Sequence, residues 1–205
     1  QRQITYEGLD HLEQALAEDR RIILLNCHLN STELNLAFSS QLPRGARPMM
    51  VVYRAPSNAM ADAVLQWGRS RFMNKVLPST QTSTIVREIR KGALMWFAPD
   101  LEFHGRGHVW APYFGIPAAT SNSVARMAAM TDAVVLPMRM TRNTDKSGFV
   151  LHIASPIKDF PTGNAEVDAA KVNAEIEQQI MAAPAEYWWG LERFLNRPKG
   201  APEIY

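Results

Sequence analysis

The stretch "RIILLNCHLNSTELNLAFSS", residues 21–40, decides how the chain folds. Its first seven residues form a short, near-continuous apolar run, the pattern of a strand buried on both faces. A helix is expected across Ser31–Ser40, entered through a polar turn. A strand leading directly into a helix is the opening half of a βαβ unit. Outward from it the same alternation repeats. "YEGLDHLEQALAED" (6–19) places Leu9, Leu12 and Leu16 on one helical face. "RPMMVVYR" (47–54), "ALMWFAPD" (93–100), "AVVLPMRMTR" (133–142) and "FVLHIASPI" (149–157) read as strands. "NAMADAVLQWGRSRF" (58–72) and "STIVREIRKG" (83–92) read as helices, the second stopped by Gly92. Further helices are expected at Ser121–Met130, Ala165–Ala182 and Glu186–Phe194. This order predicts one α/β domain over residues 1–205, with a largely parallel or mixed central sheet flanked by helices. Chemistry in such sheets gathers at the carboxyl ends of strands. Three predicted ends carry polar residues: Asn26–His28, Tyr53–Arg54 and Asp100–Glu102.

With 205 residues, the chain is long enough to bury a sizeable core. Its single cysteine excludes an internal disulfide framework. No apolar run approaches the roughly 20 residues of a membrane span, and no signal peptide opens the chain. The first residue is Gln1 rather than Met, so an upstream segment, an anchor included, is compatible with the sequence. Charge is uneven. Between Leu34 and Pro99 nine Lys/Arg face two acids, Asp62 and Glu88, a local balance of +7. Such a segment suits an anionic partner such as phosphate, lipid headgroups or an acidic carrier, or else several solvated helix faces. P-loop and dinucleotide fingerprints are absent, which leaves ATP and NAD unsupported.

Three constellations compete for the chemistry. Cys27 and His28 are neighbours on a strand, so their side chains should diverge, and Cys27 reads as a buried structural thiol. "HGRGH" gives His104 and His108 the spacing of a helical metal pair, but its glycines and the nearby prolines argue for a loop. His28 and Glu33 are five residues apart, which on one helix means roughly 140° of rotation. If His28 lies in the turn and Glu33 about one turn inside the helix, the carboxylate can reach back to the imidazole. The helix N-terminus would keep the ring neutral, while Glu33 holds its tautomer, as in a triad without its serine. A capped helix beside an incidental histidine satisfies the same spacing.

"NCHLNSTE" (26–33) resembles the H-x4-[DE] motif of glycerolipid and lipid A acyltransferases. Four further stretches follow in matching order: "VVYRAPSNAMADAVLQWGRSRF" (51–72), "VREIRKGALMWFAPDLEF" (86–103), "VWAPYFGIPAATSNSVARMA" (109–128) and "APAEYWWGLERFLNRP" (183–198). From about Gly8 to the C-terminus the chain is similar to the late lipid A acyltransferases, the Kdo-dependent lauroyl/myristoyltransferase family. Family members usually carry an N-terminal membrane helix and about a hundred further residues upstream; a sequence that begins after them is expected of a truncated or an unusually short member. Glu102 stands where the family often has aspartate. Leu191 and Glu192 depart from its tail pattern, while Arg193 and Arg197 keep to it.

The resemblance implies an acyltransferase that moves a fatty acyl group from acyl carrier protein to a hydroxyl of a lipid A precursor or related glycolipid. It would work at the cytoplasmic face of the bacterial inner membrane, against an anionic membrane surface, with no cofactor, metal or nucleic acid. His28 would be the general base and Glu33 its orienting partner. Arg54 would bind an anionic acceptor group or support the site, Asp100 would organise the site, and Asn58, Arg69 and Arg71 would assist. Trp188 and Trp189 are expected in the core or at an interface. A glycerophospholipid-type O-acyltransferase and a catalytically silent lipid- or carrier-binding protein are the alternatives.

Overall fold

The computed structural model describes residues 3–29, 32–103, 107–145 and 147–205. In chain order the first half runs β1 (Gln3–Glu7), α1 (Leu9–Ala17), β2 (Arg21–Leu25), α2 (Thr32–Ser39), β3 (Met49–Tyr53), α3 (Ala59–Arg69), β4 (Lys75–Pro78) and α4 (Thr82–Arg90). The second half runs β5 (Leu94–Phe97), β6 (His108–Tyr113), β7 (Ile116–Ser121), α5 (Ser123–Thr131), β8 (Ala133–Arg142), β9 (Gly148–Ile153) and α6 (Ala165–Ala182). Seven strands form one sheet in the order β1-β9-β8-β2-β5-β3-β4. All its neighbours are parallel except β8 and β9, which pair antiparallel. The expected mixed, mostly parallel α/β architecture is therefore present.

Strand alternation feeds two cores, one on each face. Ile22 and Leu24 of β2 pack with Met49, Val51 and Trp96 in a cluster that includes Leu12 of α1 and Leu36 of α2. Ile23, Leu25 and Cys27 point the other way, into a cluster with Ile85, Val124, Val172 and Ile176 from α4, α5 and α6. Cys27 thus continues the strand's period of two into a core, as its position beside His28 predicts.

Four sequence expectations need correction. Strands β1 and β4 went unread: Tyr6 and Glu7 of β1 fall in the stretch expected as the first helix, and residues 75–78 were assigned to no element. The β6–β7 hairpin went unread because Pro112 and Pro117 stand directly opposite each other in it, and proline ordinarily argues against a strand. Its two-residue loop, Phe114-Gly115, has positive φ at both positions (50° and 75°), matching the twist of the flanking strands. The helix expected at Glu186–Phe194 is instead two single 3₁₀ turns, Pro184–Glu186 and Trp189–Leu191. Adjacent tryptophans and Gly190 are poor helix formers, and Glu192 ends the second turn in the left-handed region at φ 45°. Of the "HGRGH" pair, His104 lies outside the described residues and His108 belongs to β6.

Candidate active site

The carboxyl ends of β2, β3 and β5 meet as expected. Beneath them a buried polar network ties α2 to the sheet. Asn26 donates to the Leu24 carbonyl (3.0 Å), and Asn35 of α2 donates to the Asn26 side chain (3.0 Å). The Asn35 side-chain oxygen in turn accepts from Ser39 (2.9 Å) and from the Trp96 indole (3.3 Å). The Asn26 amide donates to Phe97 O, stitching the end of β2 to β5 (2.9 Å). Groups this deeply buried keep their positions only while every partner is present.

His28 follows directly. Its backbone N–H donates to Asp100 Oδ2 (2.8 Å), and its Nδ1 lies 2.6 Å from Asp100 Oδ1. Asp100 is 1% exposed, so the carboxylate grips both backbone and ring from inside the protein. On the other side, the Trp188 amide donates to His28 O (3.1 Å), and Leu29 forms a β-bridge with Tyr187. Burial, the largest single influence on the ring, disfavours its charged form. The charge and hydrogen bond of Asp100, helped by Glu33, outweigh burial and the opposing Arg69, and His28 is held above its ordinary pKa. The neutral ring expected from the helix N-terminus is therefore overridden by the carboxylate. Cys27 is the opposite case. Burial pushes its thiol up, and the charge of Asp100 adds to that, so no thiolate forms.

Glu33 was expected against the imidazole, and the structure corrects this. It lies in the first turn of α2 and pairs with Arg69, whose Nη2 reaches Glu33 Oε1 at 2.6 Å. The reason is reach: Asp100, delivered by the end of β5, already occupies Nδ1 and the His28 N–H. Arg69 also sits 5.6 Å from the centroid of the Tyr53 ring.

A cavity of about 540 Å³ opens in front of His28. Arg54, Arg69 and Arg126 line it with Ser79, Thr80 and Thr82, alongside an apolar wall that includes Val52, Leu65, Ile85, Phe97 and Met127. This is the usual composition of a ligand site, apolar walls with a few polar groups for orientation. Arg126, from α5, was not anticipated; only its stretch of resemblance pointed there. Arg54 and Arg69, which the resemblance offers as substrate-binding or site-organising residues, both line the cavity. Asn58 is a helix cap instead. Its side chain accepts from the Met60 and Ala61 amides (2.9 and 3.1 Å), satisfying two free donors at the start of α3. Arg71 lies over the Trp67 ring, 5.0 Å from its centroid, and does not line the cavity.

Behind the site, the tail was legible only through resemblance. Arg193, 4% exposed, donates to Ala119 O (2.6 Å) and Thr120 Oγ1 (2.9 Å) and stacks on Tyr113. The Tyr113 and Tyr187 hydroxyls are 3.0 Å apart, and burial raises both phenols, which stay protonated. Arg193 therefore fastens the β6–β7 hairpin to the segment that clamps His28. Trp188 and Trp189, expected in the core or at an interface, are more than half exposed.

Residues 1–196 match the family model described as "Bacterial lipid A biosynthesis acyltransferase". The chain belongs to this family. It is 32% identical over 200 residues to the lipid A biosynthesis palmitoleoyltransferase of Escherichia coli (strain K12), covering 97% of this chain and 64% of that protein. The lauroyltransferase of the same strain is 32% identical over the same shares. A Haemophilus influenzae lipid A biosynthesis acyltransferase is 30% identical over 203 residues, covering 98% of this chain and 62% of the relative. The chain therefore spans somewhat under two thirds of the length of these family members.

Proposed function

We propose that this chain catalyses acyl transfer from acyl carrier protein to a hydroxyl of a lipid A precursor. In this reading His28 Nδ1–H donates to Asp100, leaving Nε2 free to take the proton from the acceptor hydroxyl. The alkoxide attacks the thioester carbonyl, the carbon–sulfur bond breaks, and the imidazolium returns its proton to the departing thiolate. No covalent enzyme intermediate is needed. Arg54, Arg69 and Arg126 bind anionic groups of the acceptor, with the Arg69 fork held in place by Glu33. The apolar wall takes the acyl chain.

The observation that carries this reading is the 2.6 Å contact of His28 Nδ1 with the buried Asp100, set at the mouth of a partly apolar cavity. Membership of the family supports the acceptor class. Among the described residues no helix is long and apolar enough to cross a membrane. We place the reaction at the cytoplasmic face of the inner membrane because the acceptor is a lipid.

The test is incubation of the protein with acylated acyl carrier protein and a Kdo-bearing lipid A precursor, with the product read by mass spectrometry. Parallel reactions use glycerol 3-phosphate as acceptor and acyl-CoA as donor. The expected result is one added acyl group on the lipid A precursor, absent with His28→Ala. Transfer to glycerol 3-phosphate alone would overturn the acceptor assignment.

A further inference from the structure

Helix α3 is built inside out. Its face toward the domain is mixed and polar. Asp62 accepts from the Tyr53 hydroxyl, Arg69 pairs with Glu33, and Leu65 and Arg69 reach the cavity. Its apolar stripe, Met60, Val64 and Trp67, repeats at i, i+4, i+7 and points to solvent, with exposures of 78%, 60% and 66%. Phe72, just beyond the helix, is 46% exposed. None of the helix's residues is buried. A surface helix ordinarily turns such a stripe toward the core. This one is capped and anchored from its polar side, by Asn58 at the start and by Asp62 and Arg69 along its length.

The charge beside the stripe is basic. Arg71 lies over Trp67. Asp62, the only acid of α3, is engaged with Tyr53 and Gln66, and Glu33 is matched by Arg69. An apolar stripe carrying a tryptophan, with an arginine laid over it and no unpaired acid on the helix, is the composition of a helix that lies in a bilayer interface. We propose that α3 docks this protein onto an anionic lipid surface, with Met60, Val64, Trp67 and Phe72 entering the headgroup boundary and Arg71 meeting lipid phosphates. The opposite face of the same helix lines the catalytic cavity. Docking therefore sets the cavity against the layer that holds the lipid acceptor. The inference deepens the proposed function and rests on it for the acceptor, but the docking step itself needs no turnover.

The test is co-sedimentation of the chain with vesicles of phosphatidylcholine alone or with phosphatidylglycerol. Its variants are the double substitution Val64→Gln/Trp67→Ser and the charge reversal Arg71→Glu, with circular dichroism melts as folding control. The wild-type chain is expected to bind anionic vesicles in a salt-sensitive way. The apolar double variant should lose about tenfold or more of this binding. Arg71→Glu should lose a similar factor on anionic vesicles and little on neutral ones. Because Val64 and Trp67 do not line the cavity, the double variant should turn over detergent-dispersed acceptor normally and fail only with acceptor in vesicles. Absence of wild-type binding, or binding unchanged in the double variant, would overturn the proposal. So would intact vesicle binding combined with a raised KM for acyl carrier protein, which would make the stripe a protein-docking face. Vesicle binding through the stripe without acyl transfer to any acceptor would leave the docking standing and remove the acyltransferase reading.

Discussion

Replacing Asp100 by asparagine tests the catalytic reading at its most specific point. The carboxylate makes two contacts, with the His28 amide at 2.8 Å and with Nδ1 at 2.6 Å, from a position 1% exposed. Asparagine has the same shape, and its single oxygen can still accept from the His28 N–H, so the backbone turn should survive. The amide NH₂ then faces Nδ1, and two donors cannot share that space. The imidazole must put its proton on Nε2, which removes the basic lone pair from the reacting side. The tautomer argument predicts a loss in kcat approaching about 10⁴-fold, and loss of general-base catalysis by itself about 10²–10⁴-fold. The pH profile carries a second signature. His28 acts as a base only when neutral, and its pKa is raised, so in the wild-type protein kcat/KM should climb through a midpoint above the ordinary histidine value of 6.5. Without the charge and hydrogen bond of Asp100, burial and Arg69 both push downward against Glu33 alone. The acidic limb of any residual activity should therefore move to lower pH. Exchanging two hydrogen bonds to a charged carboxylate for neutral ones should also cost about 1–3 kcal/mol, or roughly 2–12 °C in Tm. The assay is acyl transfer across pH for wild type, Asp100→Asn, His28→Ala and the double variant, whose losses should not add. A folded Asp100→Asn within tenfold of wild type, or one whose acidic limb stays in place, would refute the dyad.

Glu33→Gln should free Arg69 in the cavity wall and lower kcat/KM, while moving the acidic limb less than Asp100→Asn does. Combined with Arg69→Ala it should add little further loss, and steady-state kinetics of the three variants check this. Cys27→Ser should keep turnover within about tenfold, since no thiolate takes part, yet lose about 1–3 kcal/mol for placing a hydroxyl in an apolar core. Parallel activity and melting measurements separate the two effects. Gly8 has φ 67°, and a Cβ there would stand 2.0 Å from Ile153 O. Gly8→Ala should therefore cost at least about 1–2 kcal/mol from the left-handed backbone alone, lowering Tm by roughly 2–8 °C. A melt equal to wild type would contradict that geometry.

The α/β class followed from local pattern. Strands β2, β3, β5, β8 and β9 announce themselves as apolar runs, and α6 was readable to the residue at Ala165–Ala182, because both depend on periodicity within a single segment. The hairpin β6–β7 was hidden, since Pro112 and Pro117 each argue against a strand until their cross-strand pairing is known. The candidate site divides along the same line. His28 and Asp100 stood out at predicted strand ends, and the proximity of those ends follows from a parallel sheet. Which carboxylate holds the imidazole was not decided by spacing. Glu33 is five residues from His28 and Asp100 is 72 away, yet β2 and β5 are hydrogen-bonded neighbours, so the distant residue is the one in contact. Sequence separation measures chain length, whereas hydrogen bonds depend on register across the sheet. The faces of α3 show the same limit. Its apolar stripe is plain in "AMADAVLQW", but only the packing of Asp62 and Arg69 against Tyr53 and Glu33 turns that stripe to the solvent.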